Sequence, residues 1–117
     1  MGAEPSQTAT WGEWEFDVYS LLPMEGCTSE DSKRLPSAPG LFVFAYWDLS
    51  RQGWRPWYIG ETENLAESLP THEKLQAAVQ RGVNCVHVKL VADITHRVAM
   101  TRHLTANYRP PENYDAE

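Results

Sequence analysis

Hydrophobic and polar positions first fall into a regular pattern between residues 11 and 22. Trp14, Phe16, Val18 and Ser20 take one side, and Glu13, Glu15, Asp17 and Tyr19 the other. That two-residue period predicts a half-buried strand at a sheet edge, or an extended arm packed on the domain. Residues 40–47 are apolar on both sides, with Leu41, Val43, Ala45 and Trp47 opposite Phe42, Phe44 and Tyr46. A strand buried on both faces belongs in the middle of a sheet. A polar loop, Asp48 to Gly53, leads into a second aromatic run, Trp54 to Ile59, so the two runs read as a hairpin. Pro56 within that run requires an edge strand or a bulge.

After Gly60 the period lengthens. Thr62 or Asn64 caps a short helical piece, Leu65–Leu69, which Pro70 interrupts. Thr71 then caps a helix from His72 to about Gln80, with Leu75, Ala78 and Val79 inward, and Arg81-Gly82 ends it. Residues 83–91 alternate as a third strand. Asp93 or Thr95 caps a last helix, Ile94–Tyr108, whose inward face gathers Ile94, Val98, Thr101, Leu104 and Tyr108, flanked by Arg97 and Met100. Arg109-Pro110-Pro111-Glu112-Asn113 stops it. The fold class expected is α+β: a small antiparallel sheet of three core strands, with an N-terminal edge strand, flanked by helices.

The remaining segments set the domain limits. Residues 1–10 are small and polar, without periodicity, and are expected to be disordered. Residues 11–38 form an acidic arm and loop, with one helical turn at Ser29–Arg34. Residues 39–113 form the domain, and 114–117 a tail. The length of 117 residues suits one domain, and 42% hydrophobic content suits a core. No apolar run approaches a membrane span, and no signal peptide is visible, so a cytoplasmic protein is expected. Met1-Gly2 with Ser6 matches a permissive myristoylation pattern, but no basic cluster follows, and an unmodified end is expected. Cys27 and Cys85 are far apart and are expected to be reduced thiols.

The net charge of −6 is uneven: residues 1–39 carry −5 and residues 40–117 carry −1. Non-specific duplex binding normally shows a basic footprint, which this chain lacks overall, leaving room only for a local basic groove.

Gly40-Leu41-Phe42 opens the first hairpin strand, and Tyr58-Ile59-Gly60-Glu61-Thr62 closes the second. Asn64-Leu65, His72, Arg97, Tyr108-Arg109-Pro110-Pro111 and Asn113 follow in order. Across residues 39–113 the chain resembles the GIY-YIG nuclease superfamily, and small bacterial single-domain members above all. The resemblance implies phosphodiester hydrolysis at a site with motif tyrosines near the scissile phosphate, one serving as or supporting the general base. It implies an arginine stabilising phosphate charge, and a last-helix glutamate holding one divalent metal as Lewis acid. On that pattern the candidate catalytic residues are Tyr58, His72 and Arg97, with Gly60 at the turn.

The chain departs from the pattern where the chemistry is most demanding. Phe42 replaces the first motif tyrosine, Ser68 stands where the arginine would fall, and Thr101 where the glutamate would fall. A threonine hydroxyl is no equal of a carboxylate for Mg2+, and serine brings no positive charge. One reading is therefore a binding or interaction module built on a vestigial site around Phe42, Tyr58, His72, Arg97 and Thr101. It would need no cofactor, and would take a nucleic-acid end, a ligand or a protein segment. Exposed tryptophans among Trp11, Trp14, Trp54 and Trp57 would supply a partner surface; buried, they complete the core. The alternative is an active endonuclease using Mg2+ or Mn2+, with Glu61 or Glu73 as substitute carboxylate. His87, His96 and His103 show no metal-ligand convergence. No membrane partner is expected. The chain is expected to be a monomer, or a weak homodimer pairing through the 13–20 edge.

Overall fold

A computed structural model describes residues 8–20 and 35–115. Residues 1–7, the loop with its expected turn at Ser29–Arg34, Cys27 and residues 116–117 lie outside them. The elements in order are β1 (Thr8–Trp11), β2 (Trp14–Ser20), β3 (Gly40–Asp48), β4 (Gly53–Thr62), α1 (Leu65–Ser68), α2 (Leu75–Gln80), β5 (Cys85–Leu90), α3 (Ile94–Tyr108) and α4 (Pro111–Asp115). The strands form one antiparallel sheet in the order β1-β2-β5-β3-β4. The α+β class and the antiparallel sheet are as expected. The strand count is not, because the N-terminal segment supplies two strands.

Residues 8–10, expected to be disordered, belong to β1, which closes on β2 through the two-residue loop Gly12-Glu13. Gly12 sits at φ +64, the left-handed value a tight hairpin turn needs at its first loop position. β2 is not an edge strand: β1 covers one side and β5 the other. Residues 14–17 pair with β1 and residues 17–20 with β5, so the edge position expected for 13–20 is not the one observed. Edge strands are β1 and β4.

The alternation read in β3 is real, and it separates two cores. Phe42 and Phe44 face α1, α2, Leu35 and Trp57. Leu41, Val43 and Ala45 face Leu104 and Met100 of α3, with Trp11 and Phe16 from the N-terminal hairpin. Pro56 meets both conditions set for it. β4 is an edge strand, and the register shifts between Phe44–Tyr58 and Ala45–Pro56, leaving Trp57 as the extra residue of a bulge. Asn113 of α4 covers part of that edge: its Oδ1 accepts the Ile59 N–H at 2.8 Å and its Nδ2 donates to the Ile59 carbonyl at 3.0 Å. A side-chain amide thus stands in for the next strand.

Helix limits shift for local reasons. Asn64 caps α1 by accepting the Glu67 N–H. α2 begins at Leu75 rather than His72, because the Thr71 hydroxyl bonds back to the Glu67 carbonyl and His72 Nδ1 accepts the Lys74 N–H. Asp93 caps α3 by accepting the Thr95 N–H. Its buried face differs from the expected one. Arg97 and Leu104 are buried, whereas Ile94 and Tyr108 are exposed. Hydropathy pushes an arginine outward, but this one has a carboxylate and two carbonyls as partners. Residues 114 and 115, expected in a tail, extend α4.

Candidate functional site

The β3–β4 pairing sets Phe42 opposite Gly60 and Phe44 opposite Tyr58. A Cβ on Gly60 would lie 2.7 Å from Phe42 Cζ, so the ring crosses a position that only glycine leaves open. The turn before α2 brings in His72, whose ring meets Phe42 edge-on at 5.2 Å and Tyr58 at 5.8 Å. Phe42, Tyr58 and His72 thus form one aromatic cluster on the α1–α2 face.

Neither titratable ring is set up as a base. Burial raises the Tyr58 phenol above its ordinary value, with the Lys74 cation opposing, so the hydroxyl keeps its proton. Burial lowers the His72 imidazole below its ordinary value, favouring the neutral form. Its Nδ1 lone pair already accepts the Lys74 N–H at 3.0 Å, which leaves the proton on Nε2. Lys74 Nζ lies 5.7 Å from the Tyr58 ring centroid and 2.6 Å from Glu112 Oε2 on α4. The Glu112 hydrogen bond raises the Lys74 ammonium above its usual range. The sequence pattern gave no sign of this pair, whose members lie 38 residues apart.

The opposite face holds the other candidates. Arg97, 2% exposed, donates through Nε to Glu61 Oε1 at 2.7 Å and through Nη1 to the carbonyls of Val91 and Ala92 at 3.2 and 2.9 Å. Thr101 lies on the next turn of α3 with Oγ1 buried and without a partner. Ser68 shares a 2.7 Å hydrogen bond with Thr62 at the end of β4. The fold therefore gathers Phe42, Tyr58, His72 and Gly60. It sets Arg97 and Thr101 on the α3 side of the sheet and leaves Ser68 bonded to β4.

Among solved structures, the chain is similar to the GIY-YIG N-terminal endonuclease domain of UvrC from Thermotoga maritima, a point mutant bound to its catalytic divalent cation. The identity is 21% and the TM-score 0.54, over 69% of this chain and 88% of that one. The fold is GIY-YIG-like. No protein-family model and no curated protein matches the chain.

The GIY-YIG fold brings with it the question of a divalent cation, and the residues present do not fit one. Thr101 offers a neutral, buried hydroxyl at the position where the resemblance puts the glutamate. Glu61, the nearest substitute in sequence, has one carboxylate oxygen bonded to Arg97. No three His, Cys, Asp or Glu side chains converge among the described residues. Hard cations take several oxygen ligands, usually with a carboxylate among them. Among the described residues, no helix is long and apolar enough to cross a membrane.

Proposed function

We propose that this GIY-YIG-like domain has lost phosphodiester cleavage and works as a binding module. The observation that carries the reading is the Glu61–Arg97 pair. The carboxylate that could replace the missing glutamate, and the arginine that could meet a phosphate, are joined to each other at 2.7 Å. Arg97 is further occupied by two carbonyls through Nη1 and is 2% exposed. Its role on this reading is structural, and Tyr58 and His72 keep a position in which neither offers a free base. Removing one electrostatic stabiliser typically costs about 10²–10³ in rate; here the arginine, the metal carboxylate and the first tyrosine hydroxyl are replaced together.

The test is nicking of supercoiled and branched DNA in Mg2+ and Mn2+, with Tyr58→Phe as control and Ser68→Arg/Thr101→Glu as restored chain. The reading expects no cleavage by the native chain. Activity gained by the restored chain would mark the loss as confined to those positions. Cation-dependent nicking by the native chain, abolished by Tyr58→Phe, would overturn the reading and establish an endonuclease.

A further inference from the structure

The far end of the β3–β4 hairpin holds a cleft of about 410 Å3, within the roughly 300–1,000 Å3 usual for small-ligand sites. β4 begins there, at Gly53–Pro56, beside the C-terminal end of α3. Among the described residues, the charged side chains lining it are Arg51, Arg55 and Arg109. They are three of the ten basic residues of a chain whose net charge is −6. The C-terminus of α3 contributes only about half a negative charge, less than the Arg51 and Arg55 guanidiniums supply. Asp48 approaches Arg55 at 3.8 Å, a long contact between part-exposed groups, and such pairs hold their members weakly.

Aromatic rings line the same cleft: Tyr46, Trp54 and Tyr108. Two are held in place from behind. The Tyr108 hydroxyl accepts the Gly12 N–H at 2.7 Å, and its ring meets Trp11 edge-on at 5.1 Å. Trp54 stands perpendicular to His87 at 4.6 Å and to Trp47 at 5.2 Å. Guanidiniums suit phosphate oxygens through paired N–H donors. Fixed aromatic rings suit nucleobases, since every base has a π-face.

We propose that this cleft binds a nucleotide unit, its phosphate against Arg51 and Arg55 and its base against Tyr46, Trp54 or Tyr108. The unit is either a free nucleotide or one residue of a single strand. The site lies at the other end of β4 from Tyr58 and Gly60, so it stands whether or not the domain cleaves DNA.

The experiment is fluorescence anisotropy of the full chain with a short fluorescein-labelled oligothymidylate at low salt. Arg51→Glu, on the exposed hairpin turn, and the pair Arg51→Glu/Arg55→Glu are compared with Arg81→Glu/Arg102→Glu, which makes the same charge change at exposed positions elsewhere. The cleft pair is expected to weaken binding at least about tenfold and to flatten its salt dependence. Tyr46→Leu is expected to weaken it by about fivefold to tenfold. Thymidine monophosphate should displace the probe at concentrations where inorganic phosphate does not. An oligonucleotide binding far more tightly than the mononucleotide identifies a strand as the source; equal affinities identify a free nucleotide. Absence of binding to both overturns the proposal. So does equal weakening by the Arg81/Arg102 pair, or equal displacement by inorganic phosphate.

Discussion

The two ends of β4 treat charge in opposite ways. At the Tyr58–Thr62 end, where a GIY-YIG fold carries its motif, the charges are turned on one another: Glu61 on Arg97, and Lys74 on Glu112. At the Gly53–Pro56 end, Arg51 and Arg55 line a cleft beside aromatic rings, with Asp48 in only a 3.8 Å contact with Arg55. On the proposed reading, the fold keeps its frame while the groups at its motif become part of the scaffold. Binding chemistry has then to be sought by geometry, away from the motif.

The comparison is most exposed to failure at Glu61. If Glu61 is scaffold, Glu61→Ala leaves a buried guanidinium without its carboxylate and destabilises the chain by about 3–5 kcal/mol in urea unfolding. The double change Glu61→Leu/Arg97→Met should recover most of that loss. A Glu61→Ala chain of native stability would mean the pair is not structural.

The hairpin end rests on His87, which is fully buried between Trp11 and Trp54. Trp11 Nε1 donates to its Nδ1 at 2.9 Å, while Nε2 has no hydrogen-bond partner. Burial pulls this imidazole down to about 4. Unfolded, it titrates near its ordinary value of about 6.5, so between the two values the unfolded chain carries the extra proton. The stability is therefore complete above about pH 6.5 and lost as pH falls toward 4, by up to about 3 kcal/mol. Urea midpoints across that range should show the slope, and His87→Gln should flatten it relative to the native chain.

Smaller effects sharpen the picture between the two ends. Asn113→Ala removes both hydrogen bonds to Ile59 and should cost about 1–3 kcal/mol. It also opens the β4 edge, so sedimentation should show added self-association. Thr101→Val keeps the shape of the side chain and removes a buried, unpartnered hydroxyl. It should leave stability unchanged or raise it by up to about 1 kcal/mol; a clear loss would mean that the hydroxyl has a partner in solution.

Much of the fold was legible in the residues. The double-sided apolar run 40–47, the proline in the next strand and the Asp93 cap each carry a local signal, and β3, β4 and α3 follow from them. What escaped is non-local or polar. The strand at residues 8–11 is short, and only pairing with β2 makes it one. Arg97 was placed beside the buried face of α3 rather than at its centre, because its carboxylate partner lies 36 residues away. α4 was hidden by Pro110-Pro111, which end one helix and begin another, proline being well suited to a first helical position. At the site, the resemblance singled out Phe42, Ser68 and Thr101 as departures from the pattern. The pairing of Glu61 with Arg97, the Lys74–Glu112 bridge and the arginine cleft are matters of three-dimensional placement.

The most direct measurement is the nicking of supercoiled plasmid by the native chain in Mn2+, read beside Tyr58→Phe. No nicking above buffer, at concentrations where the chain binds labelled oligothymidylate, is the result expected of a binding module. Nicking that requires the cation and disappears in Tyr58→Phe would contradict it and restore the motif end of β4 as an active site.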